Sequence, residues 1–105
     1  ASEKYENVRQ IVQKFLNSKS AVEIVITKGT TEAINLVASS IGKGIIMSDD
    51  EIVVTEMEHL ANFVPWQMLC DDKILDFKVA AVKDNGVLDV YNLLALVTAK
   101  TKILA

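Results

Sequence analysis

The sequence has only one cysteine, one histidine, one proline and one tryptophan, and these shortages exclude several kinds of protein. A single cysteine cannot form an internal disulfide or a cysteine-rich metal site, and it suits a reducing compartment. The chain carries 11 Lys+Arg against 14 Asp+Glu, a formal charge of −3. Because nucleic-acid binding needs an excess of positive charge, nucleic acid is not expected as a partner.

Long apolar runs are also missing. No run reaches the ~18–20 residues that a membrane span needs, and residues 1–5 lack the basic and then apolar pattern of a secretion signal. What is present is a chain in which 50% of the residues are hydrophobic and 24% are charged, which is typical of globular proteins. We therefore expect one soluble, cytoplasmic domain without a membrane partner, or an organellar one in a eukaryote.

The two ends predict that the chain is a fragment of a longer protein. It does not begin with methionine, and residues 101–105 have the pattern of an apolar strand that has only begun. A strand that stops inside a core leaves its backbone ladder without partners.

Short β-branched runs alternate with amphipathic segments. The runs predict buried strands at residues 24–26, 52–54 and 74–82. Apolar residues at helical spacing predict four helices, near residues 2–16, 30–42, 61–69 and 89–97. Gly42 is expected to end the second helix, Pro65 to lie in the first turn of the third, and Asp89 to cap the fourth. This order predicts an α/β fold, a partial three-layer sandwich with a mostly parallel sheet.

The first polar turn before a predicted helix is Thr-Lys-Gly-Thr-Thr-Glu at residues 27–32. A helix start offers unpaired N–H groups and a partial positive charge, so it suits an anion. Gly29 would let a ligand approach the backbone, and the hydroxyls of Thr30 and Thr31 add donors. The alternative, favoured by spacing alone, is that one threonine caps the helix while Glu32 complements its dipole. The turn lacks the Gly-Lys-Ser/Thr of a Walker loop, which disfavours a nucleoside triphosphate.

The second polar turn contains His59, between a predicted strand and the next helix. An imidazole there could stack on a flat cofactor ring or move a proton, or it could be a half-buried residue bonded to the backbone. No second histidine or cysteine lies at ligand spacing, so no metal is expected. Glu56 and Glu58 alternate near a strand end, which argues against a paired acid/base site.

Cys70 is expected to be structural. It ends a predicted helix beside Asp71 and Asp72, and neighbouring carboxylates raise the pKa of a thiol. Trp66 and Met68 are interpreted as packing residues.

Three linked motifs resemble one known family. Residues 27–38, TKGTTEAINLVA, resemble the TRGTTEAINLVA segment of class V aminotransferase-like enzymes, and of SufS-type (group II) cysteine desulfurases in particular. Residues 50–59 resemble the GDEIVVT…MEHHAN segment of that group, and residues 62–67 match its NIVPWQ. The separation of Thr31 and His59 also agrees with that group, and the similarity extends over almost the whole chain.

The resemblance implies a homodimeric fold type I enzyme that uses pyridoxal 5′-phosphate. Such an enzyme removes sulfur from L-cysteine, which leaves L-alanine and a persulfide on an enzyme cysteine. A SufE- or SufU-like acceptor then takes the sulfur for iron–sulfur cluster assembly. Residues 1–105 would form part of the cofactor-binding large domain, without an internal boundary. Thr30 and Thr31 would hold the cofactor phosphate, and His59 would stack on the pyridine ring and assist proton transfer.

The chain also departs from the family pattern. Leu60 stands where the group has a second histidine, which is expected to alter the edge of the pocket rather than cofactor binding. The family's Schiff-base lysine, pyridine-nitrogen aspartate, carboxylate-binding arginine and persulfide cysteine have no counterpart within residues 1–105, and Cys70 is not that cysteine. The isolated chain is therefore expected to be inactive. Selenocysteine lyase, another class V enzyme and a non-catalytic α/β fragment remain as alternatives.

Overall fold

Helices and strands alternate along residues 2–105, the part of the chain that a computed structural model describes. The helices are α1 (Ser2–Leu16), α2 (Thr30–Gly44), α3 (Val64–Lys73) and α4 (Val90–Leu96). The strands are β1 (Glu51–Thr55), β2 (Asp76–Ala80) and β3 (Thr101–Leu104). Short 3₁₀ turns cover Ala21–Glu23 and Leu60–Asn62. Within these residues, no helix is both long and apolar enough to cross a membrane.

The described strands form one parallel sheet in the order β2–β1–β3. The central strand, β1, pairs Ile52 with Phe77 of β2 and with Ile103 of β3. Ile52, Val53 and Val54 are fully buried. A β-branched run without polar alternation is what a parallel strand covered on both faces requires, so the strand predicted at 52–54 is confirmed.

One face of the sheet packs against α3, which in turn packs against α2. Ile52 and Val54 point to this side and form the main core cluster with Ala38 of α2 and with Trp66 and Cys70 of α3. Since side chains alternate along a strand, Val53 points to the other face.

The opposite face is covered by α4. Lys78, the register partner of Val53, lies on this side. Its Nζ donates to the carbonyl oxygen of Leu96 at the end of α4, at 3.2 Å, and pairs with the buried carboxylate of Glu51 at 2.8 Å. Helices therefore lie on both faces of the sheet, and the predicted partial three-layer α/β sandwich is confirmed.

The strand predicted at residues 24–26 is wrong. Ile24 has extended backbone angles, but residues 24–26 join no sheet in the described structure. The backbone of Ile24 is engaged elsewhere: its N–H donates to the carbonyl oxygen of Ala21, and its own carbonyl oxygen accepts from Nε of Arg9 at 3.1 Å. A short β-branched run needs a neighbouring strand to become part of a ladder, and here it lies beside a 3₁₀ turn instead.

Other boundaries moved by a few residues. Gly42 does not end α2; it is buried within the helix against Leu69, and α2 continues to Gly44. The strand predicted at 74–82 corresponds to β2, Asp76–Ala80, and is shorter than predicted. It cannot start at Ile74, because that residue has left-handed backbone angles that end α3. Pro65 lies in the first turn of α3, and the Asp89 side chain caps α4 by accepting from the N–H of Asn92 at 3.0 Å, both as predicted.

Candidate functional site

Helix α2 begins without a side-chain cap. Gly29 occupies the N-cap position, and the first backbone hydrogen bond of the helix runs from the N–H of Ala33 to the carbonyl oxygen of Gly29 at 3.1 Å. The N–H groups of Thr30, Thr31 and Glu32 consequently have no partner within the helix. They lie at the end of the helix that carries its partial positive charge, so this end suits an anion.

The hydroxyls of Thr30 and Thr31 do not cap the helix. Thr30 is the first residue inside α2, both threonines are exposed, and neither hydroxyl has a hydrogen-bond partner within residues 2–105. The hydroxyl of Thr27, one turn earlier, donates to the carbonyl oxygen of Gly29 at 2.9 Å. The capping interpretation of these two threonines is therefore wrong, and their hydroxyls are available to a ligand.

Gly29 leaves open space beside this helix start. Its φ of 173° and ψ of −177° describe an extended backbone that any residue adopts. A Cβ added here would meet no heavy atom within 4 Å. Neither backbone conformation nor packing in the described structure requires glycine at this position. The open space is what close approach of a bulky anion to the neighbouring N–H groups needs.

His59 begins the 3₁₀ turn Leu60–Asn62 and caps it with its own ring. Nδ1 accepts from the N–H of Ala61 at 3.1 Å, so the proton of the neutral imidazole lies on Nε2. The N–H of Asn62 closes the turn by donating to the carbonyl oxygen of His59 at 2.8 Å. The imidazole is exposed. Among residues 2–105, the side chain thus bonds to the backbone through Nδ1, and Nε2 has no hydrogen-bond partner.

A chain of side-chain hydrogen bonds flanks His59. The hydroxyl of Thr55, at the end of β1, donates to one carboxylate oxygen of Glu58. Nδ2 of Asn62 donates to the other at 3.0 Å, and Nε1 of Trp66 donates to Oδ1 of Asn62 at 2.9 Å. The bond from Thr55, and then that from Asn62, lowers the pKa of Glu58. We call these four residues the Thr55–Trp66 relay.

The relay is not among the features predicted from the sequence. Its members follow one another at intervals of three, four and four residues, the spacing at which neighbouring turns meet. That spacing was the available signal. Glu56 lies outside the relay, since its carboxylate accepts from the N–H of Val82 at 3.0 Å. The two glutamates thus have separate partners, in agreement with the prediction that they form no acid/base pair.

The two polar turns lie at the same end of the helical layer. Asn35 in α2 and Pro65 in α3 line one groove, and farther along the same two helices Gly42 lies against Leu69. α2 and α3 therefore run side by side in the same direction, with their starts together. Because the turn after His59 also packs against α2, both polar turns lie near the carboxyl end of β1. Parallel α/β sheets bind ligands at that edge.

Cys70 is a core residue and not part of this site. It is buried in the core cluster, and burial raises the pKa of its thiol to about 11, with smaller contributions from Asp71 and Asp76. A buried, protonated thiol is a packing group, as predicted. Among residues 2–105, no group of three or more histidine, cysteine or acidic side chains could hold a metal ion.

The residues at the start of α2 have the donor set for a phosphoryl group: backbone N–H groups, two free hydroxyls and the positive end of a 15-residue helix. At the neighbouring turn, an exposed imidazole can cover an aromatic ring or carry a proton. The two together fit a ligand with a phosphate at one end and a flat ring at the other.

Comparison with known proteins finds relatives over the whole chain. A cysteine desulfurase of Serratia proteamaculans (strain 568) is 48% identical over 105 residues, which are 100% of this chain and 26% of that protein. The crystal structure of the cysteine desulfurase CsdA (S-sulfonic acid) from Escherichia coli has a TM-score of 0.81 at 35% identity, and the match covers 98% of this chain and 26% of that one.

A more distant structure shows the same fold. The C-DES mutant K223A, with glycine covalently linked to its PLP cofactor, has a TM-score of 0.75 at 18% identity over 98% of this chain and 26% of that one. The chain thus spans about a quarter of the length of the relatives it matches. These likenesses agree with a part of a fold type I domain. The family model described as aminotransferase class-V matches residues 1–105, and the chain therefore belongs to the class V aminotransferase family.

Proposed function

We propose that this chain is part of the pyridoxal 5′-phosphate-binding domain of a cysteine desulfurase. The observation that carries the proposal is the uncapped start of α2, where free N–H groups and the free hydroxyls of Thr30 and Thr31 lie at the same end of the helical layer as the exposed ring of His59. The 48% identity to a cysteine desulfurase supports the choice of activity within the family.

The residues of this chain would bind and orient the cofactor. The N–H groups and hydroxyls of Thr30 and Thr31 donate to the phosphate, and the helix start stabilises its negative charge. The imidazole of His59 covers one face of the pyridine ring and excludes water from it. Its Nε2–H is the group that can donate or move a proton, since Nδ1 is occupied by the N–H of Ala61. Pyridoxal phosphate, when bound, supplies the electron sink for the reaction.

The finer assignment rests on the linked motifs at residues 27–38, 50–59 and 62–67. We infer a SufS-type enzyme that converts L-cysteine to L-alanine and a persulfide on a cysteine outside this chain. The sulfur would pass to a SufE- or SufU-like acceptor for iron–sulfur cluster assembly, and the enzyme would work as a cytoplasmic homodimer.

Two glycines at opposite ends of α2, Gly29 at its N-cap and Gly44 in its last turn, provide a test of the phosphate site. In the described structure, a Cβ added at Gly29 or at Gly44 meets no heavy atom within 4 Å, so Gly29→Ala and Gly44→Ala both fit the fold. Only the first puts a methyl group beside the free N–H groups. The probe is pyridoxine 5′-phosphate, which has no aldehyde to react with surface lysines, and NMR follows the backbone amides of the full chain during the titration.

We expect the amides of Thr30, Thr31 and Glu32 to shift on titration, and pyridoxine without phosphate to leave them unchanged. Gly29→Ala should weaken binding about tenfold, the order of one lost hydrogen bond to a charged group, while Gly44→Ala binds as the wild type does. Equal affinity in both variants, or shifts confined to other residues, would contradict the proposal.

A further inference from the structure

We propose that Glu58, Asn62 and Trp66 of the Thr55–Trp66 relay are positioning residues that hold the imidazole of His59 in one place and one tautomer. The inference deepens the proposed function, on which its ligand-binding part rests. The geometry around His59 carries it, because Glu58 directly precedes His59, Asn62 ends the turn that His59 caps, and their partners Thr55 and Trp66 lie in the elements on either side.

The relay has a rigid anchor at each end. Thr55 is the last residue of the central strand, and its side chain is buried at the sheet edge. Trp66 belongs to the main core cluster and is 4% exposed, so its Nε1–H has a fixed direction. Between these anchors, the side chains of Glu58 and Asn62 are half-buried. Because the turn is hydrogen-bonded to two packed elements, β1 and α3, its motion is restricted.

The orientation of the Asn62 amide follows from its partners. Nε1 of Trp66 can only donate, and the ionised carboxylate of Glu58 can only accept. Oδ1 of Asn62 must therefore face Trp66, and Nδ2 must face Glu58, as the distances of 2.9 Å and 3.0 Å show. No other side chain of this volume offers one acceptor and one donor in those places. Aspartate at position 62 would keep the bond from Trp66 but turn an oxygen toward the carboxylate of Glu58.

The relay brackets His59 itself. Glu58 precedes His59, and Asn62 closes the turn by donating its N–H to the carbonyl oxygen of His59. The imidazole is exposed, so packing does not hold it. In the described part of the chain, its one hydrogen bond is from the N–H of Ala61 to Nδ1, and that N–H keeps its direction only while the turn keeps its conformation. The relay therefore holds the turn at Glu58, directly before His59, and at Asn62, where the turn closes.

The test uses an Asn→Asp pair. Asn62→Asp breaks the relay, whereas Asn85→Asp is a matched control, because Asn85 only accepts, from the N–H of Val87 at 3.1 Å, and aspartate keeps that bond. His59 is the only histidine, so the ¹⁵N resonances of its ring are unambiguous in the full chain. Trp66→Phe, which removes Nε1–H and keeps the aromatic packing, is a second variant should Asn62→Asp fold poorly.

We expect the wild type and Asn85→Asp to show an unprotonated Nδ1 and a protonated Nε2 at pH 8. In Asn62→Asp and Trp66→Phe, both resonances should move toward the average of the two tautomers. Averaged tautomers in the wild type, or unchanged ones in a folded relay variant, overturn the proposal.

Ligand binding separates positioning from general loss of structure. The relay acts on the ring of His59 and not on the start of α2, so Trp66→Phe, which adds no charge, should weaken the binding of pyridoxine 5′-phosphate about tenfold. It should leave the affinity for inorganic phosphate unchanged. Equal loss for both ligands would overturn the positioning role. If the wild type binds neither ligand, the proposed function fails, while the tautomer measurement still decides the role of the relay.

Discussion

Apolar side chains are largely exposed in α1 of the N-terminal segment, residues 2–26, but fully buried in the central strand of the sheet layer, residues 51–105. The apolar residues of α1 are largely exposed, with Phe15 at 87%, and α1 has no buried residue. In the sheet layer Ile52 is 0% exposed. Both segments carry a regular apolar pattern. An apolar pattern therefore predicts the type of element and the face it offers, but burial depends on a partner that the pattern does not name.

Polar contacts hold the N-terminal segment instead. Arg9 donates from Nε to the carbonyl oxygen of Ile24 at 3.1 Å and from Nη2 to that of Ala21 at 2.9 Å, which fastens α1 to the following 3₁₀ turn. The radius of gyration is 16.3 Å, against about 13 Å for a compact domain of this length. The stability of the described structure is therefore expected to lie in the sheet layer and the helices packed on it.

The largest difference between the two regions should appear on truncating one apolar side chain in each. Ile52→Ala removes fully buried atoms from the core cluster and should lower the free energy of unfolding by about 2–5 kcal/mol. Phe15→Ala should change it by less than about 0.5 kcal/mol, although it removes a larger group. Urea unfolding of the full chain, followed by circular dichroism, measures both. A cost for Phe15→Ala that matches that of Ile52→Ala would mean that α1 is packed in solution.

The reactivity of a thiol should also differ between the buried core and the exposed side of α1. Burial and two nearby carboxylates raise the pKa of Cys70 from 9.0 to about 11, so at pH 8 its thiolate fraction falls about a hundredfold. A cysteine placed on the exposed side of α1 by Phe15→Cys, in a Cys70→Ala background, has neither effect. Iodoacetamide should alkylate the native wild type at least about a hundred times more slowly than this variant. Comparable rates in the native state would contradict the burial of Cys70, and rates in urea provide the control.

The part of the fold that the sequence predicted is the part in which local pattern and tertiary environment agree. Residues 52–54 are a β-branched run with strands on both sides, and they form the central strand. Residues 24–26 have the same pattern but no neighbouring strand among the described residues, so they form no ladder. Nothing within three residues distinguishes the two runs, because a ladder is a property of two segments. The prediction that Gly42 ends α2 was wrong for a related reason, because the contact of Gly42 is with Leu69 on another helix.

The candidate site also contains residues that local sequence predicts and residues that depend on tertiary packing. The positions of Thr30, Thr31 and His59 at the starts of a helix and a 3₁₀ turn could be predicted, because turn residues and strand ends mark them locally. The absence of a side-chain cap on α2 could not be predicted, because the N-cap position is occupied by Gly29 rather than by a threonine. The Thr55–Trp66 relay joins three elements through groups whose partners become defined only when β1 and α3 pack together.

The smallest of these effects concerns two ion pairs, one in each region. Glu51 in the sheet layer is buried; bonds from Lys78 and then Thr98 lower the pKa of its carboxyl from 4.5. A carboxyl whose pKa is lower in the folded state stabilises the fold above its unfolded pKa and loses that contribution as the pH falls through the folded value. The wild type should therefore be more stable than Glu51→Gln at pH 7, and the two should converge as the pH falls below 4.5.

The pair in the N-terminal segment provides the control for that convergence. Glu6 and Arg9 form an exposed ion pair at 3.0 Å within α1, and such pairs contribute at most about 0.5 kcal/mol in water. Glu6→Gln leaves Glu51 and Lys78 untouched, so it should retain the wild-type difference in stability between pH 7 and pH 3. Urea unfolding at intervals of half a pH unit measures all three proteins. If the free energy of unfolding of Glu51→Gln changed with pH as that of the wild type does, the contact with Lys78 would not lower the pKa of Glu51 in the folded state. The electrostatic difference between the two regions would then disappear.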